Sequence, residues 1–455
     1  PYAYQVFNSD TVEVKCNYVL KNNHVSFAFP NGYVGSEKII IDPTIIFSTY
    51  SGSNSNNFGF SATYDNLGCL YSAGISFGIG YPTTLGAYQV SFDGGAVDVS
   101  ITKYDSSGTY RIYSTYLGGN QSEFPHSLVV NSNKELFILG TTGSDNFPTT
   151  SQSFSSFFSG GDPFFPSGLS ATFPNGSDIF VSKLSSDGGQ LLSSTYIGGS
   201  KNDGLNLSSS LKYNYADEFR GEIDIDLQGN IYIATSTSSP DFPVTNNVFQ
   251  GSLSSAQDGC IIKMDNNLQT IIWSSFLGGD KDDGIYSLAL DSKDNLYVSG
   301  GTCSNNFFSN INAFKPFLTD TINPDAFIVS ISSDGKKVLN GTYFGSIFYD
   351  QSYFIEISNN DKIYIAGQTK SISDSLVFNS IYFNNSGGQF IAVFDTSLST
   401  LLMSTVFGSG KGTPDISPSA FLIDKCNNIY LSGWGSSLGG PLSTLNLDVT
   451  NNAFH

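Results

Sequence analysis

The stretch GGDKDDG, residues 278–284, crowds more carboxylate into one loop than any other part of this chain. Asp280, Asp282 and Asp283 are hard oxygen ligands on a glycine-rich segment, a set suited to Ca²⁺. SKNDG at 200–204 is a weaker copy, and neither stretch has the spacing or closing glutamate of an EF-hand loop. Calcium is therefore the one cofactor expected, set against a plain solvated turn. A second group of candidates is aromatic. Phe164, Phe165 and Phe173 lie in GDPFFPSGLSATFPNGS (161–177), and Tyr213 and Tyr215 in KNDGLNLSSSLKYNYADEFRG (201–221). Aromatic loop residues suit sugar faces or a protein partner, or pack a loop onto its scaffold.

Other chemistries lack their parts. The histidines are His24, His126 and His455. A hydrolytic triad needs imidazole between a nucleophile and an acid. His126 sits in SEFPHSL (122–128), just before a strand and without GxSxG, and reads as a structural or surface residue. Arg111 and Arg220 cannot build a three-arginine sialidase clamp, and Trp273 and Trp434 are too few for a quinone-dependent propeller dehydrogenase. Paired-carboxylate glycosidase chemistry stays open, although no pair of Asp or Glu stands out as breaking the repeat described below. The charge of −19, from 39 acidic and 20 basic residues, argues against a nucleic-acid partner, which needs clustered Lys and Arg. Five scattered cysteines without CxxC fit neither a zinc site nor a disulfide framework, and Cys69 and Cys426 occupy similar turn positions in different repeats. No apolar run is long enough to span a membrane. The chain opens on Pro1 without a signal segment and reads as processed or partial.

The elements that must position these residues are repeated. IYSTYLGG (112–119) returns as IFSTYSG (46–52), LSSTYIGG (192–199), IWSSFLGG (272–279), LNGTYFGS (339–346) and LMSTVFGS (402–409). Each is followed by a pattern such as EIDIDLQGNIYIATSTS (222–238), where apolar residues alternate on either side of a polar turn. Period two with Gly-Asn, Asp-Asn or Asn-Asn between the runs is a β-hairpin, one face in and one face out. The first turn residue recurs at Asp65, Asn131, Asp226, Asp291, Ser358 and Asp424, in steps of 66, 95, 65, 67 and 66. A linker such as DFPVTNNVFQ (241–250) and a strand such as DIFVSKL (178–184) complete the unit. Four antiparallel strands per unit make a propeller blade. The class is all-β, with six units near 46–111, 112–191, 192–271, 272–338, 339–401 and 402–455. LDVTNNAFH (447–455) repeats FPVTNNVFQ (242–250) just before another strand is due. Either residues 1–45 close a six-bladed ring, or they are the tail of a preceding all-β region and the chain continues. Strand parity puts both long insertions on one face, in neighbouring blades.

STYLGG, a D-x-x-G-N-x-Y turn, GxTxSxxFPTT, an F-Q and a D-x-F-V-x-K strand together resemble the SBBP β-propeller repeat of large Bacteroidetes surface proteins, of the kind associated with gliding motility and type IX secretion. IIIDPTIIFSTYSGS (39–53) is similar to the junction that often opens such a region. The resemblance covers residues 39–455, departing in the last units, where FPTT is missing and GG becomes GS. It implies about seven blades, an extracellular or cell-surface location, and export through regions outside this chain. The function expected is a non-enzymatic structural, adhesive or scaffolding module whose partners are other surface proteins or glycans. The alternative is a glycan-binding or glycan-cleaving propeller using the insertion face or the central channel. Clustered aromatics with carboxylates there favour the alternative; a lining of Ser, Thr and Gly favours the module.

Overall fold

Alternating short strands and tight turns leave this chain no route to a core except stacked sheets. The computed structural model describes residues 2–7, 10–21, 24–42, 47–166, 170–215, 217–318, 320–435, 443–444 and 447. They form two units, residues 1–50 with 106–110, and residues 51–105 with 111–455. The first contains β1 (Tyr2–Phe7), β2 (Asp10–Val14), β3 (Asn17–Lys21), β4 (His24–Ala28) and β5 (Ile39–Asp42). Among the described residues these strands pair with one another, as a sheet β2–β1–β5 and a hairpin β3–β4. The Gln5 side-chain amide holds the following loop, donating to Val34 O and Glu37 O and accepting from Val34 N.

The second unit is a β-propeller. Its first sheet is β6 (Asn57–Tyr64), β7 (Leu70–Ser76), β8 (Asp98–Tyr104) and β9 (Arg111–Leu117). The second is β10 (Glu123–Val130), β11 (Leu136–Thr142), β12 (Asp178–Leu184) and β13 (Leu191–Ile197). The third is β14 (Glu222–Ile225), β15 (Ile231–Thr237), β16 (Asp258–Met264) and β17 (Ile271–Leu277). The fourth is β18 (Asp283–Leu290), β19 (Leu296–Thr302), β20 (Asp325–Ile331) and β21 (Val338–Phe344). The fifth is β22 (Asp350–Ile357), β23 (Ile363–Thr369), β24 (Gln389–Phe394) and β25 (Leu401–Phe407). In the sixth, the described residues give β26 (Ser417–Ile423) and β27 (Ile429–Trp434). The matching segment 448–455 lies outside the described residues. The strands β6, β10, β14, β18, β22 and β26 succeed one another around an axis, with β26 back beside β6.

Each sheet opens with the hairpin and ends with the STY-type strand, so the sheets lie one strand out of phase with units counted from STY. The expected one-sided burial of the hairpin gives way to burial on both faces. Ile231 and Ile233 pack with Phe137 and Leu139 of the blade before, while Tyr232 and Ala234 pack with Leu296 and Val298 of the blade after. Middle strands in a stack of blades have no solvent face.

The repeated residues now have physical reasons. Asp65, Asp226, Asp291 and Asp424 each fold a side-chain oxygen onto two backbone N–H groups of their own turn. The turn then needs a left-handed residue, supplied at Gly229, Asp294 and Asn427. The hydroxyl of the STY-type strand pins the linker along the outer sheet edge, Thr115 to Gln89, Thr195 to Ser155 and Ser275 to Gln250. That covers an edge otherwise open to further strand pairing.

The turn from one blade into the next is organised by a fully buried carboxylate: Glu123, Asp203, Asp283 or Asp350. Glu123 accepts from Gly119 N, Thr142 Oγ1 and Ser144 Oγ, and Asp203 accepts from Gly199 N, Thr237 Oγ1 and Ser239 Oγ. Asp283 repeats this with Gly279 N and Ser304 Oγ, and Asp350 with Ser346 N. A second buried carboxylate, the Asp that opens the third strand, faces it. A Cβ on Gly118 would lie 2.7 Å from both Asp98 Oδ1 and Glu123 Oε2, and one on Gly198 would lie 2.5 Å from Asp178 Oδ1 and 2.9 Å from Asp203 Oδ2. The glycine is the space between two acids.

Two outcomes follow from this construction. In the five bulged hairpins a glycine at the middle of the second strand faces a carbonyl beside the bulge in the first; a Cβ on Gly367 would lie 2.0 Å from Gln351 O. Gly367→Ala is expected to cost about 2 kcal/mol or more, read by denaturant unfolding. Burial pushes Glu123, Asp203 and Asp283 up to about 8, and Asp98, Asp178 and Asp350 to about 7, with the facing carboxylate adding for Glu123, Asp203, Asp283 and Asp350. The folded chain thus binds protons there that the unfolded chain has already released. Their contribution to stability is full below the ordinary carboxylate value of 3.8, is lost progressively as pH rises from there, and is gone above about 8. Thermal melts across this range check it: Asp283→Asn flattens the slope, and a wild-type profile that rises with pH contradicts it.

Candidate functional site

Five of the six axial strands carry a bulge, which turns one extra residue toward the axis. Aligned on the hairpin turns, the bulge positions are Phe60, His126, Tyr286, Tyr353 and Ser419, with Gly221 at the equivalent place before the regular β14. The next position inward reads Ser61, Ser127, Glu222, Ser287, Phe354 and Ala420. These residues, Ser287 and Ala420 apart, line a cavity of about 740 Å³ along the axis. The lining thus has its charge where one repeat departs from its neighbours. One pleat further on, Asp224 and Glu356 replace Thr63, Val129, Ala289 and Leu422. The expectation that no pair of Asp or Glu stands out as breaking the repeat is corrected here: Glu222, Asp224 and Glu356 do, on two strands that face one channel. Alternation with apolar residues hid them in the sequence as ordinary solvent-facing positions.

Glu222 is clamped across the axis. Ser127 Oγ donates to its Oε1 and Ser287 Oγ to its Oε2, each at 2.9 Å. Ser287 Oγ also accepts from Ile355 N, so four blades are joined through one carboxylate. Burial pushes Glu222 up to about 7 and Asp224 to about 6. Glu356 is pushed to about 8 by burial and by the charges of Glu222 and Asp224.

His126, read as a structural or surface residue from the sequence, lies in the cavity wall. The Thr141 hydroxyl donates its one proton to Gly204 O at 2.8 Å and meets His126 Nε2 at 2.9 Å. Thr141 therefore accepts there, and Nε2 carries the imidazole proton. Nδ1 is left as a bare lone pair, buried and without a hydrogen-bond partner. Burial and the nearby Arg220 charge hold His126 neutral, down to about 3.

The second insertion folds over part of the cavity mouth. Asp217, fully buried, accepts from Tyr213 N, Asn214 N, Arg220 Nε and Nη2, and Tyr353 Oη. Arg220 lies over the Tyr353 ring at 4.7 Å. Asn214 and Gln368 exchange amide hydrogen bonds of 2.9 and 2.7 Å, and Tyr286 Oη donates to Leu211 O at 3.0 Å. These bonds fix the insertion to β18, β22 and β23. The mouth remains open beside β6 and β27, where Tyr215 meets Phe58 at 6.4 Å and Trp434 at 6.0 Å. Phe58 and Trp434 are half exposed there, at 50% and 47%.

The aromatic candidates thus divide. Tyr215 lines the cavity, and Tyr213 packs on Tyr349 beneath Lys370. Phe173 is fully buried against Phe124 and Phe219, which makes it part of the scaffold rather than a contact surface. Phe164 bridges to Phe173 through the backbone, and Phe165 is exposed. The two insertions meet, as strand parity predicts: Lys201 pairs with Asp162 and Asn202 Nδ2 donates to Asp162 O.

The acidic candidates do not converge. Asp283 faces inward as a blade-junction carboxylate, whereas Asp280 Oδ1 accepts from Asn305 N at the surface. Asp282 lines a separate cleft with Asp162, Lys201 and Gln257. Among the described residues, no three His, Cys, Asp or Glu side chains group as a metal site. No helix among them is long and apolar enough to cross a membrane.

Residues 1–44 match a family model described as Domain of unknown function (DUF7948). Among proteins with curated functions, none matches the sequence. Three solved structures are similar at low identity. A protein of unknown function from Dyadobacter fermentans is 13% identical with a TM-score of 0.42, over 82% of this chain and 89% of that one. A gluconolactonase from Xanthomonas campestris is 10% identical with a TM-score of 0.34, over 85% of this chain and 95% of that one. A Hadza microbial sialidase is 7% identical with a TM-score of 0.35, over 78% of this chain and 59% of that one.

Proposed function

We infer that this chain is a carbohydrate-binding β-propeller that takes a short glycan into the mouth of its axial channel. The observation that carries this reading is the meeting of Phe58, Tyr215 and Trp434 with Glu222 and His126 around one cavity of about 740 Å³. Aromatic faces stack on the apolar face of a sugar ring, and carboxylate and imidazole acceptors below them take its hydroxyl protons. Binding, not turnover, is the role we assign. A paired-carboxylate hydrolase needs one acid ionised beside one that is protonated. Here burial pushes both Glu222 and Glu356 up, and Glu356 lies beyond the cavity lining.

Placement of the chain on the surface of a bacterium, exported through regions outside it and acting as an adhesive or scaffolding module, is part of the same proposal. The six STY-type segments and their resemblance to the SBBP repeat support it. Glycan recognition would give such a module its adhesion.

A glycan-array screen followed by titration calorimetry tests the reading. Trp434→Ala is expected to weaken the best ligand about tenfold or more with the melting temperature nearly unchanged, because the ring is half exposed. Phe165→Ala, on the exposed outer insertion, leaves affinity unchanged. An array with no ligand, or equal losses from both variants, rules the channel out.

A further inference from the structure

The polarity of the cavity goes further than its shape. Its lining offers acceptors whose counterpart is missing. His126 Nδ1 is nine-tenths buried, neutral and unpartnered, and its residue lines the cavity. Glu222 holds one serine hydroxyl on each oxygen, and a carboxylate oxygen accepts more than one donor. Asp224 adds negative charge one pleat below, and Glu356 lies close enough that Glu222 and Asp224 both act on it.

Among the described residues, the one positively charged side chain in the lining is already committed. Arg220 gives two hydrogen bonds to Asp217 and lies flat on Tyr353. Among the described residues no lysine lines the cavity. The Ser127 and Ser287 hydroxyl protons are directed at Glu222. Asn56, Ser61 and Ser417 can accept as readily as donate. At the mouth, the faces of Phe58, Tyr215 and Trp434 carry the negative side of their ring quadrupoles. A metal ion does not fit this set, because no three ligating side chains group among the described residues. An ammonium group does: it brings three donors and one positive charge to an acceptor-rich, aromatic-rimmed site.

We propose that the channel selects an amino sugar, a short glucosamine oligomer, whose protonated amine sits between Glu222 and His126 Nδ1 while its ring stacks at the aromatic mouth. The inference rests on the carbohydrate reading and names its ligand class. The half-covered mouth suits a short oligomer better than a folded partner.

Calorimetry on the full chain, at near-neutral pH and low ionic strength, compares four probes: a glucosamine tetramer, its fully N-acetylated counterpart, cellotetraose and butylammonium. The glucosamine tetramer is expected to bind about tenfold or more tighter than the other two sugars, as one buried charge-assisted hydrogen bond warrants. Glu222→Gln and, separately, Asp224→Asn should collapse that ratio while leaving the weak binding of cellotetraose intact. Melting curves on both variants confirm that the fold is kept, and Asp224→Asn serves if the serine clamp does not tolerate the first. Equal binding of all three sugars overturns the amine assignment and leaves the carbohydrate reading standing. Butylammonium binding without any sugar binding keeps the ammonium site and overturns the carbohydrate reading. Binding of none of the four overturns both.

Discussion

Burying a carboxylate is costly unless donors surround it, and every complete blade junction of this propeller is built around one. Glu123, Asp203, Asp283 and Asp350 each draw the glycine turn that ends one sheet toward the strand that begins the next. Hydroxyls just past the end of the hairpin's second strand complete the set for the first three, as with Ser144, Ser239 and Ser304. The interaction fixes where one blade hands over to the next, and so fixes how the axial strands are spaced. The fifth junction keeps the geometry with different parts. Gln389, an uncharged amide of similar shape, stands where the facing aspartate would be, and Asp415 is paired with Lys411. A neutral group in that position fits a pair of acids that cannot both be ionised.

The channel obeys the opposite logic. Where the junction acids have their donors, the axial acceptors are left partly open. Asp217 is the hinge between the two regimes. It absorbs Arg220, the hydroxyl of Tyr353 and two backbone N–H groups, which holds the insertion over the axis and neutralises the one cation that the described residues place in the wall. What remains in the wall is acceptor and aromatic.

Much of the scaffold was legible because it is written repeatedly. Strand type, turn chemistry and the shared face of the insertions all follow from the spacing of Asp65 through Asp424. The strand phase was not, because a linear repeat has no marked beginning; the pairing of Leu136 with Leu184 sets it. Burial on both faces of the hairpin was also missed, since alternation reports two faces without saying what covers each. The site was least visible. Glu222 stands in the sequence position of Ser127 and Ser287, and only alignment on the turn residues exposes it as the odd member. His126 was legible as a structural or surface residue but not as buried and unpartnered, because its tautomer is set by Thr141 and Gly204, the latter on the neighbouring insertion. Trp434 closes its strand at the mouth, where a one-dimensional pattern says nothing of an axis. The GGDKDDG loop drew attention through local density of charge, yet its three carboxylates point to three different places.

The bulged axial strand has a consequence for how such a molecule can change. It presents equivalent positions to one shared space from six separately encoded segments. A substitution in one segment alters the chamber while the other five hold its walls, and the sheet behind it need not be rebuilt. Recognition in this architecture can therefore drift one wall at a time, and two relatives with the same scaffold can admit quite different guests.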